Sequence, residues 1–253
     1  MSAYTAHMSV KSEVSVETGS LSGTDDLPRP DRSSGDGTDI SAADLLGIGR
    51  SVVADDLRAI TAMAGNIGPG FAEAVRMLAG CQGKVLVAGL GTSGATARRI
   101  AHMLSVAGTP ALFVHAADGL HGGLGAVSEG DVLLAISRGG QTDELNEYVR
   151  RAKRRGVRVI SMSQSRSVPL ARLADVALEV LVPDDVDPGG LIGTASSLAT
   201  CALGDALAIA AMRVRGYSWA SFGFTHPGGA VGRLIRQREK AANDPDDKRS
   251  EIS

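Results

Sequence analysis

Two short segments place hydroxyl side chains among glycines in the pattern that holds an anion. Gly89-Leu90-Gly91-Thr92-Ser93-Gly94 follows an apolar run and precedes a helical pattern. Gly91 and its neighbours let the backbone come close to a ligand, and Thr92 or Ser93 brings a hydroxyl to a helix N-terminus, where roughly half a positive charge favours an anion. The segment also fits G-x-G-x-x-G, the dinucleotide fingerprint. A dinucleotide site wants an acid at the tip of the second strand, whereas the chain there reads Phe113-Val114-His115, with Asp118 three residues beyond. An anion cradle and a plain tight turn both remain open for this segment.

The second segment, Ser137-Arg138-Gly139-Gly140-Gln141-Thr142, also follows an apolar run and opens a helix. It offers free N–H groups around Gly140 and Gln141, the hydroxyls of Ser137 and Thr142, and the guanidinium of Arg138. A dinucleotide fold does not ask for a second such loop. Two hydroxyl-bearing loops on neighbouring strand ends suit a compact phosphorylated ligand, whose three oxygens need about that many donors. Glu144 lies just inside the following helix; it is either a catalytic acid or base, or an ordinary first-turn acid stabilised by the helix dipole.

These loops need a scaffold that brings them together. Apolar runs at 84–90, 111–115, 131–137, 157–161 and 177–182 are strand-sized and rich in Val, Leu and Ile. Helical spacing marks 41–63, 71–78, 95–107, 144–155 and 169–174. Short, continuously apolar strands alternating with helices imply an α/β fold, a three-layer αβα sandwich around a five-stranded parallel sheet in flavodoxin-like order. Ligands of such sheets bind beyond the carboxyl ends of the strands. The segments after strands one, two, three and five are therefore the place to look: Gly89–Gly94, His115–Gly125, Ser137–Thr142 and Pro183–Thr194.

The 253 residues carry a formal charge of −2, are 43% hydrophobic and contain 32 glycines but only eight aromatics. The apolar content excludes disorder throughout, and two cysteines exclude a disulfide scaffold. The charge argues against a nucleic-acid binder acting through bulk basicity. Charge is unevenly spread, however. Residues 1–40 hold three basic and seven acidic groups and 237–253 hold four and five, both read as disordered tails. The remaining 41–236, read as the folded domain, has 19 basic and 16 acidic groups and 28 of the glycines. The start lacks the apolar run of a signal peptide, and the apolar stretch 191–212 contains Asp205, so a buried helix and a cytoplasmic, non-membrane protein are expected. Cys81 and Cys201 have no spaced partner for metal or redox chemistry and read as small buried hydrophobes.

Taken in order, several motifs resemble the sugar isomerase (SIS) domain family. Ser137 to Glu144 is similar to its S-x-S-G-x-T-x-E motif and Gly89 to Gly94 to its first glycine loop. There follow Phe113-Val114-His115 to His121-Gly122 with Leu124-Gly125, Gly204-Asp205-Ala206-Leu207-Ala208, and His226-Pro227-Gly228-Gly229 with Gly232-Arg233. Over 41–236 the succession looks like the arabinose-5-phosphate isomerases, in the short form without C-terminal paired CBS modules. The resemblance implies that Ser93, Ser137 and Thr142 hold a phosphate, that His121, Glu144, Asp185 and His226 are catalytic, and that the protein is a homotetramer or homodimer. Thr194 and Ser196, in the Thr-Ala-Ser-Ser run after strand five, join the binding set. The chain departs from those enzymes where they carry a lysine (Thr92), a second serine (Gly139), a glutamate (Gln141), an aspartate (Gly123), a glutamate (Asp185) and a proline (Gly193), which leaves sugar specificity open.

Aldose–ketose isomerisation moves a proton between adjacent carbons through an enediolate. It requires a base at carbon, an acid at the carbonyl oxygen and a fixed phosphate handle, with no metal and no other cofactor. Glu144 is assigned as base, His121 and His226 as proton carriers or ring openers, and Asp185 as orienting a hydroxyl or a histidine. Pro227 suits a first helical position, which would put His226 near a helix start. Tyr217, Trp219, Phe222 and Phe224 just ahead of it suggest a subunit contact that carries His226 into a neighbour's site. Asp205 reads as a buried, hydrogen-bonded structural acid. The alternative from another class is a non-catalytic sugar-phosphate sensor, although the acidic residues 1–40 lack the basic helix-turn-helix of regulators that share this domain.

Overall fold

The computed structural model describes residues 40–242; the N-terminal tail and the chain beyond 242 lie outside the described residues. The chain opens with α1 (Ala42–Gly65), whose N-cap Ser41 accepts from Asp44 N, and α2 (Pro69–Ala79), which starts with proline at N1. Alternation follows: β1 (Val85–Ala88), α3 (Gly91–Val106), β2 (Ala111–Val114), α4 (Ala116–Leu120), β3 (Val132–Ile136), α5 (Asp143–Arg154), β4 (Arg158–Ser163), α6 (Pro169–Leu173) and β5 (Val176–Glu179). A 20-residue α7 (Ala195–Val214), a short α8 (Trp219–Thr225) and α9 (Gly229–Ala242) complete it. α9 runs through residues 237–242, which the sequence reading assigns to the tail.

The five strands are all parallel, in the order β2-β1-β3-β4-β5, the flavodoxin-like arrangement. Alternation along each strand divides its side chains between two layers. Val85, Val87, Val132, Leu134, Ile160 and Met162 pack with α1, α2, α3 and α7. Leu86, Ala88, Leu133, Ala135 and Val159 pack with Leu145, Tyr148, Val149 and Ala152 of α5 and Leu170 of α6. Both faces of the sheet are thus buried, which is why the strands read as unbroken apolar runs. The resulting αβα sandwich is the expected α/β class.

α7 is long and apolar enough to cross a membrane by composition, yet it is a core helix. Ala199, Leu203, Leu207, Ala208 and Ala211 are buried against α1, α2 and α3. At Gly204 an added Cβ would stand 2.5 Å from Ile100, so α3 and α7 approach closely because this residue has no side chain. Asp205 is half-buried rather than fully buried: it grips Arg99 of α3 through two 2.8 Å contacts at the helix surface. Cys81 and Cys201 are free and buried, and burial pushes both thiols up from their ordinary pKa.

Two boundaries differ from expectation, with consequences for the site. α3 begins at Gly91 rather than Ala95, so Thr92 and Ser93 belong to its first turn. His226 is the residue that ends α8 rather than one that begins a helix. After Pro227 the chain continues before α9 starts at Gly229, whose φ of 67° suits glycine.

Candidate active site

A cavity of about 180 Å³ opens at the carboxyl ends of the strands. Its floor is Ile136, Met162, Ser163 and Val180, the last residues of β3 and β4 and the first beyond β5. α3 contributes Thr92, Ser93 and Thr96, and α7 contributes Ser196, Ser197 and Thr200, while Arg138 reaches in from the loop after β3. Seven of its fourteen lining residues carry hydroxyls, set among the apolar Ile136, Met162, Val180 and Leu191. Arg138 is the one ionisable side chain among the described residues that line it. Such a lining suits a polyol with a single anionic group.

The first glycine loop owes its glycines to packing. An added Cβ on Gly89 would lie 2.5 Å from Ser93 O, and one on Gly94 would lie 2.9 Å from Gly89 O. The end of β1 and the first turn of α3 therefore touch backbone to backbone. That contact sets Thr92 and Ser93 at the cavity mouth. Gly91 adopts φ 55° with open space around it.

The second loop is pinned from three sides. Arg138 O accepts from Gln164 N at 2.9 Å, and Gly140 O accepts from Leu170 N at 3.0 Å and from the buried Asn146 Nδ2 at 3.2 Å. Gly140, at φ 63°, presses on Val168, which a Cβ would meet at 2.2 Å. Ser137 is buried; its Oγ accepts from Gly140 N at 3.1 Å and lies 3.2 Å from Thr142 Oγ1. Ser137, Gly140 and Thr142 thus shape the loop. Gln141 is exposed.

The loop between β5 and α7 carries two carboxylates with opposite duties. Asp185 faces outward, 69% exposed, and accepts from Arg58 Nη2 of α1 at 2.8 and 2.9 Å. That guanidinium holds the Asp185 carboxyl below its ordinary range. Asp187 is turned inward and fully buried; it pairs with Arg138 Nη1 and accepts from Ser196 N at 3.1 Å. Thr194, next to α7, is half-buried outside the cavity lining.

The structure thus brings Thr92, Ser93, Arg138 and Ser196 into one cavity and leaves the four candidate catalytic residues outside its lining. Glu144 is exposed in the first turn of α5, and His121 is exposed at the end of α4. His226 is half-buried, stacked on Phe222 with ring centres 3.9 Å apart, and its Nδ1 lies 3.0 Å from Phe222 O. Among the described residues no His, Cys, Asp and Glu group could hold a metal ion. Sequence reasoning missed Thr96, Ser163, Gln164, Ser197, Thr200 and Asp187. Thr92–Thr96 and Ser196–Thr200 are spaced four apart, one helical turn, a signal that becomes legible once α3 is started at Gly91.

Comparison with known proteins identifies the family. The SIS domain model matches residues 77–210. Arabinose 5-phosphate isomerase KdsD of Pseudomonas aeruginosa is 40% identical over 70% of this chain and 54% of its own, and GutQ of Escherichia coli K12 is 36% identical over 76% and 60%. The chain therefore spans little more than half the length of these curated relatives. The solved structure of E. coli CFT073 c3406 in complex with arabinose 5-phosphate superposes with a TM-score of 0.71 at 33% identity, over 74% of this chain and all of that one. With its cavity at the strand ends, its sheet order and these matches, the chain belongs to the SIS domain family.

Proposed function

We propose that the protein is a sugar-phosphate aldose–ketose isomerase that interconverts arabinose 5-phosphate and ribulose 5-phosphate. The observation that carries this reading is the cavity itself, walled by serine and threonine hydroxyls with one guanidinium at the strand ends. The relatives named arabinose 5-phosphate isomerases support the choice of sugar. The phosphate is taken by Thr92 and Ser93 at the start of α3 and by Arg138 of the loop after β3, with Ser137 and Thr142 joining them. Ser196 and the other α7 hydroxyls meet the sugar.

The reaction removes the proton on C2 of the aldose and protonates the carbonyl oxygen at C1 to give the 1,2-enediol. Returning a proton to C1 while the C2 hydroxyl loses one yields the ketose, so atoms and charge balance with no redox partner. Glu144 is the base in this scheme, His121 and His226 move the oxygen-bound protons, and Asp185, kept ionised by Arg58, orients a histidine. No metal or other cofactor enters it.

These catalytic groups stand at the surface of one protomer, and the reading includes a homodimer or homotetramer, as the family resemblance implies. Trp219 and Phe224 are 73% and 87% exposed, and Leu45, Leu46, Val53 and Leu57 line an apolar stripe along α1. Covering these surfaces with a second copy would bring His226 to a neighbour's cavity. The unit 41–236 is taken as one domain working in the cytoplasm, where thiols such as Cys81 and Cys201 stay reduced.

Incubation with a panel of pentose and hexose phosphates, followed by a ketose assay, tests the proposal. Turnover of arabinose 5-phosphate is expected. Thermal stabilisation by these ligands without turnover of any would replace the enzyme with a sensor.

A further inference from the structure

Asp185 and Asp187 stand two residues apart in an irregular loop that sends their side chains to opposite sides. Val186 between them is buried. Asp187 lies outside the cavity lining but behind it, with no exposed side-chain surface. Both of its oxygens are used: Oδ2 by Arg138 Nη1 and Oδ1 by Ser196 N. One carboxylate therefore ties together two walls of the cavity, the loop after β3 and the first turn of α7.

Burying a carboxylate is costly unless a cation and further hydrogen bonds meet its oxygens, and Arg138 and Ser196 N supply both. Arg138 in turn is 36% exposed on its other side, toward the cavity. A guanidinium has five N–H donors in a rigid fork, and Asp187 engages the Nη1 end, leaving the others for a ligand. A long arginine side chain loses rotamer freedom when it binds an anion, and holding it beforehand removes that cost from binding.

We infer that Asp187 is a positioning residue: it fixes Arg138 against the cavity wall so that the guanidinium bridges a buried carboxylate and the phosphate of the ligand. The inference rests on the sugar-phosphate reading of this cavity. It also explains how a cavity with a single cation can take a dianion, since the cation is already aimed and cannot swing into solvent.

The test is a double-mutant cycle with Asp187→Asn, Arg138→Met and both together, reading KM and kcat for arabinose 5-phosphate and calorimetric affinity for inorganic phosphate. Asp187→Asn should raise KM and weaken phosphate binding about three- to tenfold, with kcat nearly unchanged. Added to Arg138→Met it should change neither further, because Asp187 acts through that side chain. Unchanged or tighter phosphate binding in Asp187→Asn, or losses that simply add in the double variant, would overturn the inference. Should Asp187→Asn fail to fold, Arg138→Lys decides: an ammonium keeps the charge but lacks the rigid planar fork that serves two anions at once, so its KM should rise, and a wild-type KM would overturn the bridge. If the wild-type protein itself binds neither phosphate nor sugar phosphate, the cavity reading fails first and the inference falls with it.

Discussion

Ser137 Oγ accepts a hydrogen bond from Gly140 N at 3.1 Å, so a hydroxyl assigned to the phosphate also folds the loop that would receive it. Ser137→Ala should therefore have two effects. Affinity for arabinose 5-phosphate should fall about tenfold, the value of one hydrogen bond to a charged group. Stability should fall by about 1 kcal/mol, because a buried N–H keeps only its weaker contact to Ser137 O. Calorimetry and urea unfolding measure the two separately; a variant with wild-type affinity would show that the second loop does not touch the phosphate.

Glu144→Gln preserves shape and removes the base. Turnover should disappear while arabinose 5-phosphate still raises the melting temperature of the variant, since Thr92, Ser93 and Arg138 still hold the phosphate. Retained activity would take Glu144 out of the mechanism.

Glycines of different kinds should respond with opposite sign. Gly89→Ala places a methyl group 2.5 Å from Ser93 O, a backbone atom that cannot step aside. The start of α3 must shift, at a cost of about 1–3 kcal/mol, and ligand binding should be lost with it. Gly47, inside α1 with nothing within 4 Å of its missing Cβ, should gain about 0.5–1 kcal/mol as alanine. Urea midpoints of the two variants check both signs.

Asp131 sets an acid limit on stability. Burial alone would raise its pKa, but hydrogen bonds from Lys84 Nζ at 2.9 Å, Lys84 N at 3.0 Å and Ser128 N at 2.9 Å outweigh it and hold the carboxyl below its ordinary value. A lowered folded pKa means that this stabilisation is complete above about pH 4, the value in the unfolded chain, and is lost as pH falls through the folded value. Asp131→Asn should cost about 1–3 kcal/mol at neutral pH and flatten the fall in urea midpoint below about pH 4. A parallel pH profile in the variant would assign that fall to other carboxylates.

The strands and helices are legible because this sheet is buried on both faces: Val85-Leu86-Val87-Ala88 and Val132-Leu133-Leu134-Ala135-Ile136 have no polar member to confuse the reading. The site is legible only where glycine punctuates it. Gly89–Gly94 and Ser137–Thr142 announce themselves, whereas Thr96 and Thr200 sit mid-helix and look like ordinary helical residues. Ser163 and Gln164 escape notice because β4 runs beyond its apolar core. Asp187 is overshadowed by Asp185: alternation sends residues two apart to the same side only when the chain is straight, and here it is not. The family pattern points at the outward carboxylate, and packing selects the inward one.

The same loop has a mechanical consequence. Asp185 fastens it to Arg58 on α1, Asp187 fastens it to Arg138 in the cavity, and Val186 anchors the span between them in the core. Through these three residues the cavity wall is held to α1, the helix whose outer face carries the apolar stripe. The loop is therefore a tie between the cavity and α1, fixed at three successive residues.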